Sequence, residues 1–126
     1  MDVQMPNILG LDHTAIVVPS DRLQEARRFY SDVLGLQEAP RPEAELGRPG
    51  IWYQLGDVQL HIQCREGALS ERSDRHIAML VDDVPAVLQH LEANSIEVSG
   101  AQTLRGRERL FCRDPFGNRI ECVAES

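Results

Sequence analysis

The feature that most constrains this chain is that one order of elements is read twice. Leu11 to Val18 (LDHTAIVV) is rich in β-branched residues and reads as a strand that Pro19 ends. Ser20 is placed as an N-cap, and Leu23, Ala26, Tyr30 and Val33 recur at helical spacing, with Arg22, Arg27 and Arg28 on the other side. Residues 21–34 therefore predict an amphipathic helix, stopped by Gly35. The segment 40–50 (PRPEAELGRPG) is a Pro/Gly-rich loop and a candidate lid. Ile51 to Leu55 is a strand, Gly56-Asp57 a turn, and Val58 to Cys64 an alternating, half-buried strand. After a polar stretch over 65–74 that reads as a linker, the order restarts. Arg75 to Val81 is a strand. Asp83 caps a second helix with Pro85 in its first turn, and Val84, Val87, Leu88 and Leu91 form its apolar face. Asn94 is expected to end it in a left-handed conformation. Residues 96–98 read as a short strand, 99–106 as loop, 109–113 as a strand, 114–118 as a tight turn and 119–123 as the last strand.

Both halves thus read strand–helix–strand–strand–strand, an α+β chain of two modules, about 9–66 and 74–125, with residues 1–9 as a loose arm. The best internal match sets Asp12-His13-Thr14-Ala15 against Arg75-His76-Ile77-Ala78. A second sets Leu60-His61 against Ile120-Glu121. A length of 126 residues suits one compact domain in which the modules share a core.

Composition narrows the partners. A formal net charge of −7 argues against nucleic acid or an anionic membrane, because both call for a basic face. No stretch approaches the roughly 20 apolar residues of a membrane span. The opening MDVQMPN lacks the basic start and apolar run of a secretory signal, so a cytoplasmic protein is expected. Three cysteines without a Cys-x-x-Cys pair argue against a disulfide framework or zinc knuckle, and Cys64 and Cys122 read as small apolar fillers.

Four residues could carry chemistry: His13, His61, His76 and Glu121. Each interrupts an apolar strand, and they stand on matching strands of the two halves. In the last strand of each half, Leu60 and Ile62, then Ile120 and Cys122, can face the helices. Gln59, His61 and Gln63, then Arg119, Glu121 and Val123, face the other way. Singly, a strand histidine is more often a hydrogen-bonded core or edge residue than a ligand. Together, three imidazoles and one carboxylate suit divalent Zn, Ni, Mn, Co or Fe, and a cation would offset the cost of burying the carboxylate. His90, on the polar side of the second helix, reads as exposed and uninvolved. No phosphate-binding loop or nucleophile elbow is present, and no organic cofactor is indicated.

The opening LDHTAIVVPS, the helix end FYSDVLGL, the restart RHIAMLVDDV and the ending FCRDPFGNRIECV together resemble the vicinal oxygen chelate superfamily over about residues 9–124. This group includes glyoxalase I, fosfomycin-resistance thiol transferases, methylmalonyl-CoA epimerase, extradiol dioxygenases and bleomycin-resistance proteins. The resemblance implies two βαβββ modules that form a cupped, incomplete barrel around one divalent metal per site, usually in a homodimer. It implies metal ligands at His13, His61, His76 and Glu121. Position 61 departs from the family: glyoxalase I usually has Glu there and the epimerase Gln. In thiol transferases and extradiol dioxygenases that position is not a ligand, and His13, His76 and Glu121 would satisfy their triad.

The implied chemistry is chelation of a small substrate through adjacent oxygens, with an enediolate or oxyanion stabilised as in a glyoxalase-like lyase or isomerase. Glu121 is the expected proton shuttle, with His61 as ligand or partner. The substrate pocket is expected to hold Trp52, Gln54, Gln59, Gln63, Phe111 and Arg109. Arg105, Arg107 and Arg109 form a basic cluster fit for a substrate carboxylate, phosphonate or glutathione. The strand register leaves open which of them points inward. The alternatives are an Fe(II) dioxygenase, an antibiotic-resistance thiol transferase, or a non-catalytic binding protein. Whether the site lies within one chain or is shared across a dimer is also open.

Overall fold

The computed structural model describes residues 5–68 and 72–125. The start of the expected arm and the middle of the expected linker lie outside these residues. The first module comprises β1 (His13–Pro19), α1 (Leu23–Arg27), β2 (Gln37–Ala39), β3 (Gly50–Leu55) and β4 (Val58–Arg65). The second comprises β5 (His76–Val81), α2 (Val84–Ala93), β6 (Val98–Leu104), β7 (Arg107–Arg113) and β8 (Arg119–Ala124). Each module is one four-stranded sheet, in the orders β1-β4-β3-β2 and β5-β8-β7-β6. In both, the first strand runs parallel to the last, and the remaining pairs are antiparallel. The expected two βαβββ modules are thus found, as unclosed sheets.

Strand alternation sets the two faces. Leu60 and Ile62 of β4, Leu110 of β7, and Ile120 and Cys122 of β8 are buried toward the helices. They pack with Val18, Phe29, Tyr30, Ile51, Tyr53 and Leu91 into one cluster fed by both modules. His61, Phe111 and Glu121 lie one residue out of step, so the pleat carries them to the opposite face.

Several local expectations are corrected. The helix over 20–33 is uniform in neither winding nor cap. A 3₁₀ turn over Ser20–Arg22 follows Pro19, which stands at the N-cap position without a side-chain bond, and α1 then widens into a π turn over Arg28–Val33. Ser20 is therefore not the cap. The π turn turns the neighbours Phe29 and Tyr30 both into the core. Residues 99–104 are not loop but most of β6, a largely exposed strand whose register shifts between Ser99 and Gln102. Gly100 makes that shift possible. Its φ is +61°, and a Cβ there would meet the Phe111 ring at 2.9 Å. The left-handed residue after α2 is Ser95, φ 61°, rather than Asn94. Asp83 does cap α2, its Oδ1 accepting from the Ala86 N–H at 3.0 Å, with Pro85 in the first turn.

Polar bonds on the helix side join the modules. The Tyr30 hydroxyl donates to Asp114 Oδ2 at 2.6 Å, deep in the core. Asp114 Oδ1 in turn accepts from the Phe116 and Asn118 N–H groups, both at 2.9 Å, which fixes the 114–118 turn. His90 is exposed, as expected, yet not idle. Its Nε2 lies 2.6 Å from the Val33 carbonyl oxygen and donates to it across the module boundary.

Candidate metal centre

In the first module His13 and His61 stand on neighbouring parallel strands, with Ala15 opposite His61. Trp52 of β3 is the direct antiparallel partner of His61. This register produces a three-ring stack. Trp52 and His61 lie 3.8 Å apart at 2°, and His61 and His13 lie 4.2 Å apart at 16°. His61 is buried, and burial, followed by the neighbouring His13, pulls its pKa below the usual imidazole value. The ring is therefore held neutral.

Its tautomer follows from a chain of side-chain amides. The Gly56 carbonyl can only accept, so Gln54 presents Nε2 to it, at 2.7 Å. Gln54 Oε1 then accepts from Gln59 Nε2 at 2.9 Å. Gln59 Oε1 is left facing His61 Nε2 at 2.9 Å, so that nitrogen carries the proton. His13 has the opposite assignment. Its Nδ1 lies 2.8 Å from Asp12 Oδ2 and donates to it, which leaves Nε2 with a lone pair.

The second module is built differently on the same strand plan. His76 leads β5 opposite Arg119, and Glu121 stands between Ala78 and Phe111. His76 Nδ1 donates to the Asp74 carbonyl at 2.8 Å, so Nε2 is the nitrogen that meets Glu121 Oε1, 3.0 Å away. That contact is a hydrogen bond when Nε2 carries a proton, and a cation could take the proton's place. A backbone-anchored imidazole beside a buried carboxylate is a donor set suited to a divalent metal. Among the four residues that the sequence singles out, His13 Nε2 has no hydrogen-bond partner among the described residues, while a metal at His76 and Glu121 would displace the proton they share. His61 Nε2 would first have to be released by Gln59.

Within one chain the four come together as two pairs, His13–His61 and His76–Glu121. Among the described residues no group of three or more His, Cys, Asp or Glu side chains converges on one point. Asp12 and the backbone of Asp74, which orient two of the imidazoles, were missed by sequence reasoning. For Asp12 a signal was present in the aspartate just before His13, whereas the Asp74 carbonyl leaves no mark on residue type.

A cavity of about 630 Å³ borders the first pair and is lined by His13, Trp52, Gln59, His61 and Gln63. Its far side is the 40–50 loop expected as a lid. The Arg41 guanidinium holds that loop by donating to the carbonyls of Glu45, Arg48 and Gly50. The register puts both Arg107 and Arg109 on the inner face, and their partners set them apart. Arg105 sits exposed in a turn with φ 53°, and Arg107 Nε donates to the Ala124 carbonyl at 2.8 Å. Arg109 faces Glu121, with Nη1 3.6 Å from Oε2.

Paired βαβββ sheets with polar residues on the face away from the helices define a class of two-module α+β scaffolds. The chain belongs to the Glyoxalase/Bleomycin resistance protein/Dioxygenase superfamily, the vicinal oxygen chelate group, whose family model matches residues 10–122. No curated protein matches it. Among solved structures, it is similar to a glyoxalase family protein from Bacillus anthracis at 32% identity and a TM-score of 0.86, covering 98% of this chain and 100% of that one. A lactoylglutathione lyase from Agrobacterium tumefaciens has 23% identity and a TM-score of 0.72, covering 94% and 95%. The fosfomycin resistance protein FosX from Mesorhizobium loti has 20% identity and a TM-score of 0.72, covering 95% of both chains. The last two likenesses are of fold alone.

Proposed function

We propose that this protein is a divalent-metal-dependent enzyme of the glyoxalase type, acting on a small substrate held through adjacent oxygens. The observation that carries the reading is the convergence of His76 Nε2 and the Glu121 carboxylate at 3.0 Å, with the ring anchored from behind by the Asp74 carbonyl. His13, held by Asp12, is the third ligand. A bound divalent metal would supply Lewis acidity, favouring the charge of an enediolate or oxyanion. Glu121 takes and returns the substrate proton. His61, stacked between Trp52 and His13, forms the wall beside the substrate, and it joins the ligands only if the Gln54–Gln59 amides turn over. Gln63 and Phe111 complete the pocket lining.

Because the two donor pairs stand apart in one chain, the site is proposed to form in a homodimer, with His13 from one copy and His76 and Glu121 from the other. Membership of a superfamily that includes enzymes such as a lactoylglutathione lyase supports catalysis. The engaged state of His61 Nε2 favours a three-ligand site, which suits a thiol transferase or a dioxygenase as the second reading.

The test is elemental analysis of the gently purified protein beside a His76→Ala variant. About one transition metal per chain, lost in the variant, is the expected result, and its identity separates redox-inert chemistry from Fe(II) oxygenation. Protein that takes up no Zn, Ni, Mn, Co or Fe leaves a binding protein on this scaffold. Mixing His13→Ala with Glu121→Ala chains regenerates one intact site only if the site is shared between copies.

A further inference from the structure

The segment ahead of β1 carries apolar side chains that its own chain leaves open. Met5, Ile8, Leu9 and Leu11 are four of the seven large apolar side chains that stand exposed among the described residues, and Ile8 and Leu9 are 96% and 95% accessible. No charged residue falls between Met5 and Leu11, in a protein of net charge −7. Residues 5–12 form no helix or strand, and their end is tied down by the Gln59 N–H donating to the Asp12 carbonyl at 3.2 Å. Single exposed leucines are ordinary, but a short arm this apolar is a patch in search of a cover.

A matching surface lies on β5. That strand closes its sheet at one edge and pairs with β8 alone. Edge strands are commonly blunted by charge, proline or a bulge, yet the run Ile77-Ala78-Met79-Leu80-Val81 has none of these. Leu80 is 65% exposed and shares a face with Ala78 and His76. The arm does not cover β5 of its own chain, since its side chains are open to solvent. A second copy also offers β5, and the shared site proposed above brings His13 of one copy beside the partner's His76. Run antiparallel from that point, Leu11 falls opposite the partner's Ala78, Leu9 opposite the partner's Leu80 and Ile8 opposite the partner's Val81. Directly opposite residues share a face, so the two exposed leucines meet. Run parallel, Leu11 and Leu9 fall opposite the partner's Asp74 and the partner's Arg72, which would set leucine against charge. Apolar matching therefore selects the antiparallel arrangement. Gly10, with φ 156° and nothing within 4 Å of where a Cβ would stand, leaves the arm room to turn.

We infer that residues 8–11 add as a short antiparallel strand to the β5 edge of a second copy, and that two such arms, exchanged reciprocally, clasp the homodimer. The inference deepens the proposed function and rests on it for the register. The pairing itself requires no metal.

The test co-expresses Leu9→Cys chains with Leu80→Cys chains, oxidises the purified protein with diamide in metal-loaded and chelator-treated form, and reads the products on a denaturing, non-reducing gel. Expected is a covalent dimer in the mixture, and at least about tenfold less of it with either variant alone or with Leu9→Cys beside Arg72→Cys, the parallel register. Leu9→Asp and Leu80→Lys should each raise the dimer dissociation constant at least about tenfold in sedimentation, and the double variant should recover most of that loss. Thermal midpoints are read alongside, so that loss of fold is not mistaken for loss of the clasp. The absence of an interchain bond, equal bonding in the Arg72→Cys mixture, or a bond closed within one chain of a Leu9→Cys/Leu80→Cys double variant overturns the inference. A covalent dimer that takes up no metal upholds the clasp while removing the metalloenzyme reading, and a metal-loaded monomer does the reverse.

Discussion

The inner faces of the two modules share a strand order and nearly a register, yet they hold their polar residues by different means. The first face is stacked: Trp52, His61 and His13 lie ring on ring, and amides running from Gly56 orient the middle imidazole. The second face is ionic: His76, Glu121, Arg109 and Arg119 surround Phe111. The lesson is that duplication of a backbone fixes where side chains point but not how their burial is compensated. Directional hydrogen bonds and stacking hold the middle imidazole of one face. The other carries a carboxylate that needs a cation on one side and a guanidinium on the other.

The contrast breaks if both faces bind metal equally. Glu121→Gln is expected to weaken Zn²⁺ binding more than about 100-fold, and His61→Gln less than about tenfold, measured by competition with a chromophoric chelator. Comparable losses would make His61 a full ligand and erase the distinction. Next in size, Tyr30→Phe removes the buried bond to Asp114 that links the modules and is expected to cost about 2 kcal/mol in urea unfolding.

Alkali should weaken the shared core. Burial pushes the Cys112 thiol up to about 12 and the Cys122 thiol to about 11, both in the second module. An unfolded thiol releases its proton near about 8.5, so above that pH the unfolded chain binds fewer protons than the folded one. Stability should therefore fall as pH rises from about 8.5 toward 11, by at most about 1.4 kcal/mol per unit for each thiol. A Cys112→Ala variant should show a shallower decline in urea titrations across that range. His90→Ala, which loses an exposed bond to Val33, is expected to cost about 1 kcal/mol or less in the same assay. The smallest effect is a change of state alone. Gln59→Leu should release His61 from its Nε2–H tautomer, visible in the ¹⁵N shifts of the ring, and an unchanged tautomer would show that stacking holds it instead.

Most of the fold was legible because it rests on periodicity. Alternation in VQLHIQC and RIECV placed His61 and Glu121 on the face away from the helices, and the restart at Arg75 exposed the duplication. The strand β6 was not legible, since SGAQTL is polar, carries a glycine and is largely exposed, so its pairing comes from β7 rather than from its own pattern. The candidate ligands were readable as residue types on matching strands. Their division into two pairs was not, because it depends on how the sheets pack. Nor could sequence orient the Gln54 and Gln59 amides, whose direction is set by the Gly56 backbone carbonyl in the turn.

The π turn over Arg28–Val33 has a consequence for the length of the chain. Its wider winding, marked by the Leu34 N–H donating to the Phe29 carbonyl at 2.9 Å, holds one more residue than an α-helical turn of the same span. Removing a single residue there would let the helix tighten to ordinary α geometry at no loss of backbone bonds. It would also swing Tyr30 about a quarter-turn or more away from Asp114. A lesion that looks harmless in the helix would thus be felt at the 114–118 turn, 84 residues along the chain.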